Sequence, residues 1–275
     1  IVSVSLVWEA LARSSGSMQV WLAIERVFAL VKDTLATLEL LPDAAQPFIL
    51  RALVRCVDAT RDGHALAAQV RGMYYPLIMH AAQARFDSAA HASPVSLSSA
   101  LSLWHALADA ADPSTSGAVH IHILSQLPAM VTSVEQHLAN ADVQVSAGRA
   151  TLALLRALPE LQNASTLLAG SAQHVLELLR AMLTSLTDQP RVSGLDATFE
   201  ELLVLYLSLL EELVRACASS DAAEANSPHA DDLRSLCLGA FGAVMPMLKR
   251  DVLTIPSVAE AFAQLVHVLL IMARS

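Results

Sequence analysis

A chain of 275 residues is long enough for two ordinary domains, yet nothing in its composition, 55% hydrophobic with few aromatics and few glycines, divides it in two. Its formal net charge of −9 and the lack of an Arg/Lys stripe exclude a nonspecific nucleic-acid binder, which needs cations to displace counterions from phosphate; basic protein partners stay compatible. A membrane span needs about 20 nearly continuous apolar residues, whereas the longest uncharged stretch, 113–134, holds His120, His122, Gln126 and Pro128, and the apolar ending 266–273 is brief.

The opening text IVSVSLVWEALARSS lacks the basic start of a secretory leader and reads as an amphipathic helix over about 2–14. A second helix, about 18–41, follows Ser14-Ser15-Gly16-Ser17 and closes at Pro42. Asp43 to Gln46 has capping-box spacing, with Pro47 in the first turn, where its missing N–H costs little. The next pair is read over about 43–59 and 63–86. Ser93-Pro94 restarts the chain as N-cap and first helical residue, giving helices over about 94–111 and 118–139, with the turn cluster 112–117 between them. Helices over about 141–158 and 171–187 come next, with a short helical piece after Pro159. Beyond the helix 198–218 lies an acidic, small-residue linker, about 219–229, expected to be mobile. The last pair spans about 230–249 and 257–274.

Helix pairs recur about every 40 to 48 residues, the period of HEAT and armadillo arrays, in which each pair has an apolar face that only a neighbour buries. The expected fold is all-α: a HEAT/armadillo-like right-handed α-solenoid of five to six antiparallel helix pairs. Residues 1–275 read as one HEAT-repeat solenoid segment of a larger protein, since the chain opens on Ile1 and stops inside helical text. Prolines 76, 128 and 246 each remove a backbone bond inside helical text and predict bent helices. At Pro246 the ring should exclude the bond to the Gly242 carbonyl, while Gly239 and Gly242 allow close helix approach.

Helix 198–218 opens on Thr198-Phe-Glu-Glu201, another capping box. Phe199, Leu202, Tyr206, Leu209, Leu213 and Cys217 share one face; Glu200, Glu201, Glu211 and Glu212 cluster opposite, with Arg215 an i,i+4 partner of Glu211. These four glutamates are the candidate partner-binding residues, a strip for a basic protein; a solvated face is the plainer reading. Cys56, Cys217 and Cys237 are far apart in sequence on apolar faces, with no CxxC, and read as buried thiols. His120 and His122, two apart, point to different faces, so no metal site is expected. HExxH, Walker, GxGxxG and GxSxG patterns are absent. Trp104-His105 and the run 73–76 read as packing groups. No catalytic constellation or cofactor site emerges.

Residues 233–269 read LRSLCLGAFGAVMPMLKRDVLTIPSVAEAFAQLVHVLL. A small-apolar run with Pro246 is followed by Asp251-Val252-Leu253, the pair Ile255-Pro256, and an aromatic, Phe262, in the next helix. This text resembles a recurrent unit of the karyopherin-β exportins, most nearly the exportin-4-like branch and less so the exportin-7-like one. The preceding helix from Phe199 and its polar linker agree in order and spacing, so the resemblance covers about the last 80 residues; upstream only helix-pair spacing agrees. It departs at Ala261 and Val266, where the family has bulkier aromatics. Read without the family, Ser257 to Glu260 is a further capping box, and Phe262, Leu265, Leu269 and Met272 form a core stripe. The resemblance implies a nuclear transport receptor segment, shuttling between nucleus and cytoplasm. Its implied partners are GTP-bound Ran, nucleoporins and protein cargo such as the hypusine-containing translation factor or Smad-type proteins, with no catalysis, nucleic acid or membrane. The alternative is a HEAT-repeat scaffold or regulatory subunit unconnected with transport.

Overall fold

The computed structural model describes residues 18–60, 65–188, 197–221 and 228–272; the helix read over 2–14 lies outside them. Among the described residues there are eleven α-helices and no strand, so the fold is all-α and built of helices packed on their sequence neighbours. The chain forms two compact units that divide between Ile123 and Leu124.

The first unit holds α1 (Met18–Leu22), α2 (Glu25–Ala36), α3 (Gln46–Asp58), α4 (Ala65–Ala89), α5 (Pro94–Ala110) and the start of α6 (Pro113–Glu135). Helices α3, α4 and α5 pack on one another, and α1 and α2 pack on α4. Leu50, Val54 and Val57 of α3, Tyr74 and Ile78 of α4, and Leu97, Leu101 and Trp104 of α5 are all buried where these helices pack. Each such residue contributes about 1.5–3 kcal/mol by leaving water.

The single helix expected over 18–41 is broken. Ile24 is extended (φ −72°, ψ 124°), and Tyr74 donates its hydroxyl to the Leu22 carbonyl at 2.8 Å. In an unbroken helix that carbonyl would accept from Arg26, so the tertiary bond takes the place of the helical one. Residues Leu38–Leu40 then wind as a 3-10 turn. The capping box at Asp43 is also displaced: α3 starts at Gln46, whose buried amide donates to the Leu41 carbonyl (2.8 Å) and to Asp43 (3.2 Å). Ser93-Pro94 behaves as read, with the Ser96 N–H bonded to Ser93 Oγ at 3.2 Å.

The second unit continues α6 and adds α7 (Ala141–Ala157), α8 (Ala164–Asp188), α9 (Ala197–Asp221), α10 (Pro228–Val244) and α11 (Pro256–Met272). Helix α8 begins seven residues before the expected 171. Asn163, at φ 60°, turns the chain into it, a left-handed conformation that Asn tolerates better than most residues, and its carbonyl accepts from the Leu167 N–H. Helix α9 packs on α7, α8, α10 and α11 together. The expected stripe is buried at Leu202, Tyr206, Leu209, Leu213 and Cys217, but so are Leu203, Leu205, Leu207, Leu210 and Val214 on other faces. Helix α9 starts at Ala197, which places Thr198 inside the first turn and not at its cap. The linker read over 219–229 contracts, since α9 runs to Asp221 and α10 begins at Pro228; residues 222–227 lie outside the description.

Pro76 and Pro128 do lie inside helices, on exposed positions of α4 and α6. Pro246 does not bend a helix. Helix α10 ends at Val244, and Met245–Met247 form a 3-10 turn closed by Leu248 N–H on the Met245 carbonyl. Gly239 and Gly242 are exposed, and a Cβ on either would meet nothing within 4 Å, so they mark no close helix approach. The close approach is at Gly148 of α7, where a Cβ would lie 2.5 Å from Leu205 Cδ2 and 3.0 Å from its Cγ.

This contrast gives a test. Gly170→Ala in α8, with open space around it, should stabilise the protein by about 0.5–1 kcal/mol through helix propensity. Gly148→Val should instead cost about 1–3 kcal/mol by overpacking against Leu205. Urea denaturation of the two variants beside the parent would check both signs.

Candidate functional site

The four glutamates read as one outward strip are engaged within the second unit. Glu200 accepts a hydrogen bond from the Ser257 hydroxyl of α11, so Ser257 joins two helices instead of capping its own. Glu201 pairs with Arg149 of α7. Glu211, only 5% exposed, pairs with Arg215. Glu212 lies 3.3 Å from Arg156 Nε of α7 and 3.4 Å from Arg215 Nε. The expected acidic strip is therefore a ladder of contacts between α9 and its neighbours. Sequence periodicity missed this because one helix's pattern does not show that a second helix, carrying Arg149 and Arg156 two turns apart, covers its polar side. Of the three glutamates in ion pairs, Glu201 keeps the most open side chain, at 42%.

In the first unit a polar cluster gathers around Asp58, the last residue of α3. One carboxylate oxygen accepts from the Tyr75 hydroxyl; the other accepts from the Asp112 N–H at 2.8 Å and the Ser116 hydroxyl at 3.3 Å. Beside it Arg71 donates to the Thr60 carbonyl at 2.6 Å. Burial pushes the Asp58 carboxyl above the ordinary range, while the bonds from Tyr75, Asp112 and Ser116 pull it back. Burial, together with the Asp58 charge and the hydrogen bond, drives the Tyr75 phenol upward in turn. Asp112 is held below its usual range chiefly by the Ser114 hydroxyl. The cluster ties the α3 end, α4 and the α5–α6 turn together through hydrogen bonds to the Asp58 carboxylate. The residues that bond to Asp58 lie 17 to 58 positions from it, a separation that no local motif announces.

Other groups singled out in the sequence are packed. His120 is buried with Nε2 3.0 Å from the Ala108 carbonyl, and His122, its basicity lowered by burial, tilts against the Trp104 ring at 5.7 Å. Among the described residues no three His, Cys, Asp or Glu side chains gather as a metal site, and no helix is long and apolar enough to cross a membrane. A cleft of about 360 Å³ lies between α2, the 38–40 turn and α4. Lys32, His80 and Arg85 line it, but Glu39 stands beside them and Arg85 is 3.3 Å from Asp43, so its charges largely offset.

Two sets of variants test these assignments. Glu211→Gln weakens the charge-assisted hydrogen bond of a buried carboxylate to Arg215, which keeps Glu212, and should cost about 1–3 kcal/mol; Glu201→Gln, at the exposed Arg149 pair, should cost under about 1 kcal/mol. Chemical denaturation distinguishes the two. At Asp58 the folded state holds its proton more tightly than the unfolded chain, so this group's contribution to stability falls as pH rises above the ordinary Asp range. Tyr75→Phe removes the strongest of the opposing hydrogen bonds. It should cost about 1–2 kcal/mol at neutral pH and steepen that fall, whereas Asp58→Asn should flatten it. Denaturation at a series of pH values reads both.

Searched against protein-family models and against curated proteins, the chain matches none.

Proposed function

We propose that this chain is a segment of a nuclear transport receptor of the exportin kind, working by binding protein partners on stacked helices and not by catalysis. The observation that supports this reading is the exportin-like text around Pro246 and Pro256, whose parts fall on distinct local elements. Helix α10 stops at Val244, Pro246 lies in the turn after it, Asp251 leads into the 3-10 turn Val252–Thr254, and Pro256 opens α11. The aromatic of that text, Phe262, stacks on Phe241 of α10 with ring centroids 6.4 Å apart and planes 9° from parallel. The aromatic thus has a physical task, holding the two helices of the unit face to face.

On this reading the partners are GTP-bound Ran, nucleoporins and protein cargo, and the receptor moves between nucleus and cytoplasm. Of the four glutamates, Glu201 is the one a basic partner would engage, by displacing Arg149 from an exposed pair; Glu200, Glu211 and Glu212 support it from inside the ladder. The test uses the full-length protein and Ran loaded with either GDP or a non-hydrolysable GTP analogue. Retention of the GTP form at least about tenfold over the GDP form is expected, a difference of about 1.4 kcal/mol, and Glu201→Gln should weaken basic-cargo capture more at low salt than at high salt. Equal retention of both forms, or none, overturns the transport reading in favour of a scaffold or regulatory subunit.

A further inference from the structure

Helices α2 and α4 of the first unit run side by side and in the same direction. Phe28, early in α2, meets the Tyr74 ring edge-on at 5.4 Å, and Arg85, late in α4, reaches Asp43 beyond the end of α2. Between them lies the cleft of about 360 Å³. Its walls carry residues at helical spacing: Lys32, Ala36 and Glu39 from α2 and the turn after it, and Leu77, His80 and Ala84 from α4. Leu35 and Leu38 are buried below them, whereas Ala36 and Ala84 are exposed, so a small side chain on each wall leaves room for a third helix to approach. The charges of the cleft offset in sum but not in place. Because the helices run together, Lys32 lies toward His80, and Glu39 lies toward Arg85, roughly 10–12 Å further on. Arg85 is met by Asp43, but Lys32 and Glu39 have no partner among the described residues. The buried Nε–H of Arg85 has no acceptor either.

We propose that this groove docks a short amphipathic helix of a protein partner, acidic in its first turn, apolar through its middle and basic in its last turn. The acidic residue pairs with Lys32 and accepts from the His80 imidazole, and the basic residue, two turns on, pairs with Glu39. Side chains of alanine or leucine size between them cover Leu35, Leu38 and Leu77 at the i, i+3, i+4 spacing by which a helix lies in a groove. Acidic residues at its N-terminus and basic ones at its C-terminus also suit the docked helix's own dipole. This direction brings the open carbonyls of its last turn to the end where the Arg85 Nε–H lacks an acceptor. The groove discriminates by charge as well as by shape. An all-acidic helix meets Glu39 unfavourably, and an all-basic one meets Lys32.

The experiment follows the fluorescence anisotropy of a labelled synthetic peptide titrated with the full chain. The peptide has about 15 residues, with glutamates in its first turn, leucine and alanine through its middle and lysines in its last turn. Expected is saturable binding, at least about fivefold tighter than that of the same peptide with every charge acidic or every charge basic. Ala84→Arg, an exposed position from which the longer side chain fills the groove, should raise Kd at least about tenfold. Lys32→Glu should raise it about fivefold and should strengthen binding of the all-basic peptide. That gain requires a folded groove, so it separates lost recognition from lost folding. The proposal is overturned if the mixed peptide fails to saturate below about 1 mM, or if Ala84→Arg binds it as the parent does. An unchanged ranking of the three peptides in Lys32→Glu overturns it equally. None of these outcomes bears on Ran binding.

Discussion

Because α9 is flanked by α7, α8, α10 and α11, most of its surface is covered, and its composition answers to that position. Leucines, Val214 and Tyr206 fill more than one side of the helix, so its neighbours need supply only complementary apolar stripes. Its carboxylates then have two options, to be desolvated without partners or to be paired, and the first costs several kcal/mol per charge. Arg149 and Arg156 on α7, Arg215 on α9 itself and Ser257 on α11 are the partners that resolve this. Gly148 is the steric counterpart: the absence of a side chain lets α7 come close enough for Arg149 and Arg156 to reach across.

The helical text was legible because capping and periodicity act over a few residues. Ser93 and Pro94 open α5 where they were read to, and the stripe from Leu202 to Cys217 is buried as spaced. Misreadings fall where a distant partner overrides a local rule. Tyr74, more than 50 residues away, takes the carbonyl that would have continued α1 into α2. Ser257 gives its hydroxyl to Glu200, although its own spacing to Glu260 looks like a cap. The prolines divide in the same way: Pro76 and Pro128 sit on exposed positions where a helix accommodates the missing bond, whereas Pro246 coincides with the end of α10. Spacing alone treated the three alike.

Polar clusters in the two units are built on opposite principles. Around Asp58, a carboxylate disfavoured by burial is kept in place by hydroxyls and a backbone N–H, neutral donors that hold it without cancelling its charge. Along α9, Glu201, Glu211 and Glu212 face guanidinium groups, which offset their charge and allow deep burial at Glu211. In the first arrangement burial outweighs the hydrogen bonds and raises the carboxyl above its ordinary range.

That difference bears on how an acidic helix could serve a basic partner. A charge already satisfied inside a stack has little left for an incoming ligand, since the partner must first displace an internal cation of equal charge. Exchange is cheap only where both members are exposed, and among the α9 glutamates that describes Glu201 with Arg149, at 42% and 53% side-chain exposure. At Glu212 the carboxylate is largely covered and held by two arginines, so an incoming cation has little of it to reach. The ladder therefore leaves, of an apparently broad acidic strip, one exposed ion pair, Glu201 with Arg149, while the charges of Glu211 and Glu212 are met inside the stack.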